Sequence, residues 1–179
     1  ALLGHVARNN DQWRHATGGE ALVIVHGTDH YVSPSWLPSA AQGTVVPTWD
    51  YVTLHVYGSL VAHDDPEWTG TVVRRLTERH ESTVAHPWTV EGAKPGYVEA
   101  MMRAIVGLEL KVTRVEAKAK MAQNKTPEDV AALAGALQAG GDLEGAAFLR
   151  EVSLPAAVRR AQTLADVAAG RHHRTPAGT

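Results

Sequence analysis

The segment "PTWDYVTLHVYGSL", Pro47–Leu60, constrains this chain more than any other. Over Tyr51–Leu60 it is built from β-branched and aromatic residues in alternation, the period of a half-buried strand. Trp49, Tyr51, Thr53 and His55 fall on one face, and Val52, Leu54 and Val56 on the other. Such a strand lines a ligand site or an oligomer interface, and the residues alone leave both open. The shorter apolar runs Leu2–Ala7 and Ala21–Gly27 also read as strands, as does the alternating run Val106–Glu116. Between the first two, "RNNDQWRHATGGE" is a loop or short helix closed by a Gly-Gly turn. "SPSWLPSAAQGTVVP" is too rich in proline for a regular element.

Helices follow from their start signals. Asp65 is an N-cap with Pro66 at the first helical position, and Trp68, Val72, Val73 and Leu76 keep helical spacing. "KPGYVEAMMRAIV" carries a second, short helix. Thr126 and Pro127 open a third, with Glu128 and Asp129 at its positive end, and Gly140–Gly141 close it. The alanine-rich remainder is helical, interrupted at Pro155. Strands first and helices last indicate an α+β fold on a mainly antiparallel sheet or small barrel. We place a barrel domain over residues 1–125, a helical segment over 126–170 and a flexible tail over 171–179.

Composition removes several functions. The sequence has 179 residues, a formal net charge of -2 and no cysteine. Disulfides, thiolate metal sites and thiol catalysis are therefore excluded. The charge gives no reason to expect direct DNA contact or an anionic membrane surface. No apolar run approaches the roughly 20 residues of a membrane span, and "ALLGHVARNN" lacks the build of a signal peptide. A cytoplasmic protein is expected. No G-x-G-x-x-G, P-loop or H-E-x-x-H motif is present, and no residue identifies itself as catalytic.

Three segments concentrate ligand-binding chemistry. "GHVARNNDQW" holds His5, Arg8, Asn10 and Trp13: an arginine there suits two-point binding of a phosphate or carboxylate, or it is a plain surface residue with Trp13 in the core. "TDHYVSPSW" holds His30, Tyr31, Ser33 and Trp36, either as the wall of a flat-ligand site or as a turn with Trp36 closing the core. "KAKMAQNK" brings Lys118, Lys120, Gln123, Asn124 and Lys125 to a strand end, against an anion or simply in solvent.

Taken in order, "GHVARNNDQW", "GTDHYVSPSW", "VVPTWDYVTLHVYG", "HDDPEW", "LTERHE" and "RAIVGLELKVTRVEAKAKMAQNK" resemble the PaiB family of FMN-binding negative transcriptional regulators, from Gly4 to about Leu133. The resemblance implies an FMN-binding split β-barrel, a homodimer, and a flavin at the subunit interface. It implies cofactor contacts from His5, Arg8, Asn10, Trp13, His30, Tyr31, Ser33, Trp36, Trp49, His55, Lys120, Gln123 and Asn124. The flavin ring would pack near Tyr31, Trp36 and Trp49, with Arg8 and Lys120 at the phosphate. The family pattern also has an N-terminal helix and first strands before "GH-AR" that this sequence does not show. It departs from the pattern at Asp11, His30, Leu37, Ala117 and Ala122, where relatives carry proline, alanine, tyrosine, glycine and serine. Members of the wider PaiB-like group bind heme, and some form nitrogen–nitrogen bonds in piperazate synthesis. Under that alternative His5, His30 or His55 would be the iron ligand.

Overall fold

The computed structural model describes residues 1–171. All but the first residue of the expected tail lie outside the described residues. The chain runs β1 (Leu2–Ala7), α1 (Gln12–Ala16), β2 (Glu20–Val32), β3 (Thr48–His63), α2 (Pro66–Glu81), α3 (Tyr97–Arg103), β4 (Ile105–Lys120), α4 (Pro127–Ala139), α5 (Leu143–Phe148) and α6 (Leu154–Ala168). The strands form one four-stranded antiparallel sheet in the order β1-β4-β3-β2. β1 lies against the start of β4, with Leu2 opposite Leu110 and Ala7 opposite Ile105. This is the α+β, split-barrel class that the sequence implies.

The strands are longer than their apolar runs. β2 continues five residues past Gly27, through "TDHYV", to Val32. Thr28 and Asp29 break the apolar signal, but period two resumes behind them. His30 and Val32 are buried, and Tyr31 between them is exposed. The segment "TDHYVSPSW" is thus a strand end and one short 3-10 turn, Pro34–Trp36, rather than a loop.

The helix starts form as expected. The Asp65 carboxylate accepts from the Glu67 amide at 2.9 Å, and the Thr126 hydroxyl from the Asp129 amide at 3.2 Å. The last break falls one turn before Pro155, in a π-helical turn over Leu149–Ser153. Pro155 then sits in the first turn of α6, where its missing N–H leaves no bond unmade.

The residues group into two compact units. The first comprises Ala1–Ile24 and His55–Glu116. Its core contains Val56, Val72, Val106 and Leu110, with the Trp68 ring packed over Gly107. The second comprises Val25–Leu54 and the described residues from Ala117 onward. Val32, Leu37, Met121, Val130, Leu133, Leu137, Leu149 and Ala157 form its core. Asp129, also buried there, accepts from the Ser39 amide at 3.0 Å and its hydroxyl at 2.6 Å, which fixes the proline-rich connection.

Candidate functional site

In the second unit three aromatic side chains meet at the surface. Tyr31 lies 6.3 Å from Trp36, nearly edge-on, and 6.3 Å from Trp49. They are 44%, 37% and 51% exposed, so none of them closes the core. That task falls to Val32 and Leu37, the neighbours of Tyr31 and Trp36. The Trp49 indole donates to Asp29 at 3.0 Å, which fixes the ring without burying it. Ser33 caps the 3-10 turn that carries Trp36: its hydroxyl accepts from the Ser35 amide and lies 2.7 Å from the Ser35 hydroxyl.

Lys120 ends β4 beside this patch. Its ammonium donates to the Thr48 hydroxyl at 2.7 Å and to the Trp49 carbonyl, and lies 3.4 Å from the buried Asp50 carboxylate. Burial pushes the Asp50 carboxyl above its usual range, against the pull of Lys120. Lys118 stands over the Tyr51 ring at 5.5 Å, and hydrogen bonding to Tyr51 holds its ammonium above the ordinary value. Gln123 is spent on the turn after β4. It donates to the Ala119 carbonyl at 2.9 Å and accepts from the Met121 amide at 2.8 Å. Ala122 in that turn has a φ of 59°, in the left-handed region that alanine rarely enters. Asn124 contributes its backbone carbonyl, which accepts from Arg160 at 2.9 Å.

His30 points inward. It is 7% exposed, with Nε2 3.9 Å from Asp50 and Nδ1 3.5 Å from Asp142. Burial lowers its proton affinity more than the facing carboxylates raise it. Both ring nitrogens are turned to carboxylates, so neither is open to an iron.

In the first unit the sequence-derived residues build a corner after β1. The Arg8 guanidinium forms a two-point pair with Asp64 at 2.6 and 3.0 Å, and donates to the Arg103 and Ile105 carbonyls at 2.7 and 3.2 Å. The pairing holds the Asp64 carboxyl below its usual range and raises Arg8. The Trp13 indole donates to the Arg8 carbonyl at 3.3 Å, and the Asn10 side chain accepts from the Gln12 amide at 3.1 Å. An anion reaching Arg8 must displace Asp64. His5 is exposed on β1 and borders a cleft with Leu76, His80 and Trp88. His55 is half-buried, 6.3 Å from the Tyr57 ring.

Three groups escape sequence reasoning. Asp50 is 2% exposed at an inward position of β3, and a lone acid in "TWDYVTL" is the signal that marks it. Asp142 opens the alanine-rich segment and meets His30 from far along the chain. His63 stacks on Trp68 at 3.8 Å and meets Glu109 at 3.0 Å, a pairing of distant residues that no local pattern announces.

Fold and geometry define a split-barrel protein of the α+β class. Residues 1–114 match the family described as "Putative FMN-binding domain", and the chain belongs to that PaiB-type family. It is 31% identical over 131 residues to "Protease synthase and sporulation protein PAI 2" of Bacillus subtilis, covering 72% of this chain and 60% of the relative. It is 32% identical over 150 residues to an uncharacterized protein of Emericella nidulans, covering 68% and 60%. An uncharacterized protein of Aspergillus fumigatus is 30% identical over 143 residues, covering 69% and 55%. The chain thus spans 55–60% of the length of these relatives. Among the described residues no helix is long and apolar enough to cross a membrane.

Proposed function

We propose that the chain binds FMN and does so as a homodimer. The observation that carries this is the exposed patch of Tyr31, Trp36 and Trp49 with the Lys120 ammonium beside it. A planar, apolar ring system with an anionic tail needs such a pairing of aromatic surface and fixed cation. The residues fit the group that the family name implies: three rings at the surface, Trp49 held at its edge by Asp29, and a lysine fixed by neutral oxygens of Thr48 and Trp49. FMN supplies hydride and single-electron chemistry when bound. The side chains hold and orient it, Lys120 at the phosphate and the aromatic rings along its face. Arg8 has another duty in its pair with Asp64 and is not required for this reading.

Dimerisation is supported by β2. It is a sheet edge, and its successive residues Leu22, Val23, Ile24 and Val25 are all exposed. An apolar edge of this kind is covered in working proteins. Val112 and Val115 on β4 are exposed as well. The role follows as PaiB-like: a regulator, or a flavin-dependent reductase, that acts through its bound flavin rather than by gripping DNA itself. The test is the visible spectrum of the purified protein with an FMN titration, read beside its mass in solution. Quenching of flavin fluorescence at one FMN per subunit, on a dimer, is expected. No quenching at excess FMN refutes the binding; quenching on a monomer refutes the dimer.

A further inference from the structure

The buried contact of His30 with two carboxylates has no part in ring stacking or phosphate binding. His30 comes from β2, Asp50 from β3, and Asp142 from the turn between α4 and α5. Asp142 also caps α5, its other oxygen accepting from the Gly145 amide at 2.9 Å. The His30 ring packs close to Gly145: a Cβ added there would stand 2.9 Å from Nδ1. Three atoms at this junction are buried and have no hydrogen-bond partner among the described residues, namely both His30 ring nitrogens and the Asp50 oxygen on the Nε2 side.

Counting protons shows what the junction needs. Two ring nitrogens face two carboxylate oxygens, so two protons are required to pair both contacts. An imidazolium between carboxylates supplies them. So does a neutral imidazole with a protonated carboxyl on one side. With a single proton, one contact sets a nitrogen lone pair against a carboxylate oxygen, and burial makes that costly. The contact that opens is the one whose acid can reach water. Asp50 is held inside and faces Lys120, with Lys125 nearby, whereas the Asp142 side chain is one-third exposed. Asp29 on the same strand as His30 is the remaining charge that acts on the ring.

We propose that Asp50, His30 and Asp142 hold two protons between them and form a proton-operated latch on the start of α5. With both protons present, the α4–α5 turn is tied to the sheet. When one leaves, the His30–Asp142 contact opens and the cap of α5 loosens. The shifts agree with where the protons reside. Burial raises Asp50 and lowers His30, which favours one proton on the Asp50 carboxyl on the Nε2 side and the ring proton on Nδ1 on the Asp142 side. The opening also leaves a full charge on Asp50 opposite Lys120, so the latch and the lysine of the aromatic patch sense the same proton.

Imidazole nitrogen NMR on the full chain, with hydrogen exchange of the α5 amides followed across pH, tests this. The Gly145 and Ala146 amides, both bonded to Asp142, are the reporters. After correction for intrinsic exchange, their protection is expected to fall about tenfold in one step as pH rises, the loss of one ordinary hydrogen bond. The His30 nitrogen signals should shift in the same step. In Asp50→Asn the amide N–H stands in for the acid proton, so the step should vanish and protection should stay high. In His30→Ala protection should be low at every pH. Protection that does not vary with pH in the unaltered chain overturns the latch. So does an unchanged step in Asp50→Asn, which keeps the test decisive if His30→Ala does not fold.

Discussion

Gly58→Ala is the sharpest test of how the sheet is built. Gly58 lies buried in β3, facing β4, and its φ is ordinary, so the residue is there for space rather than for backbone freedom. A Cβ added to it would stand 2.8 Å from the Lys111 carbonyl carbon, closer still to its oxygen, and 3.1 Å from the Leu110 side chain. The first two atoms are backbone and cannot swing aside. The strands must part locally, by about 1 Å, to reach ordinary contact. Overpacking of this kind costs about 1–3 kcal/mol. Parting the strands also weakens one or two ladder hydrogen bonds, each worth about 1 kcal/mol. The expected loss is therefore about 2–5 kcal/mol, a large share of the roughly 5–15 kcal/mol that a domain has. Gly4→Ala in β1 is the control, because a Cβ there meets nothing within 4 Å. It should be neutral, or stabilising by up to about 1 kcal/mol, since glycine is unfavourable in a strand. Urea unfolding followed by circular dichroism, with equal slopes for the three proteins, gives the comparison. If Gly58→Ala unfolds within 0.5 kcal/mol (about the scatter of a neutral surface change) of the unaltered chain, the close approach of β3 and β4 is wrong.

Further outcomes follow from the site and the edge strand. Lys120→Met should weaken FMN binding by about tenfold or more, the loss of one charge-assisted contact, and Trp49→Ala should do so to a similar degree by removing stacking surface; fluorescence titration reads both. Ile24→Lys should convert a dimer to a monomer in light scattering while leaving circular dichroism unchanged, because the residue is exposed on the sheet edge. Asp50→Asn should change how stability depends on pH. The folded pKa of Asp50 lies above its unfolded value of 3.8, so its contribution is fully present below 3.8 and lost as pH rises through the folded value. The amide that replaces the carboxyl does not titrate, so the unfolding free energy of the variant should gain on that of the unaltered chain as pH rises. His30 acts in the opposite sense. Its lowered pKa makes the folded state bind protons less readily than the unfolded one, so stability falls as pH drops below 6.5, and this limb should persist in Asp50→Asn.

The fold was legible where one physical signal dominates, and the site was legible only in part. A short apolar run marks β1, period-two alternation marks the centres of β3 and β4, and capping residues mark the starts of α2 and α4, because these signals are local. The end of β2 was not legible. Asp29 is a poor strand former and Thr28 and His30 interrupt the apolar run, and only the tertiary burial of His30 and Val32 on either side of Tyr31 makes the segment a strand. The exposed aromatic patch follows from this same detail. Extending β2 through Val32 turns Tyr31 outward and carries the 3-10 turn that presents Trp36. Sequence spacing suggested Arg8 as an anion partner but gave no hint of Asp64, which lies 56 residues further on and takes up the guanidinium. The same holds for His30. Its chemistry is set by Asp50 and Asp142, both distant in sequence, so a histidine that reads locally as a turn or ligand residue is in the folded chain a buried ring facing two acids. Residues whose role is fixed by strand period or by a cap are readable one segment at a time. Those whose role is fixed by which charge they meet are readable only once the strands have been paired.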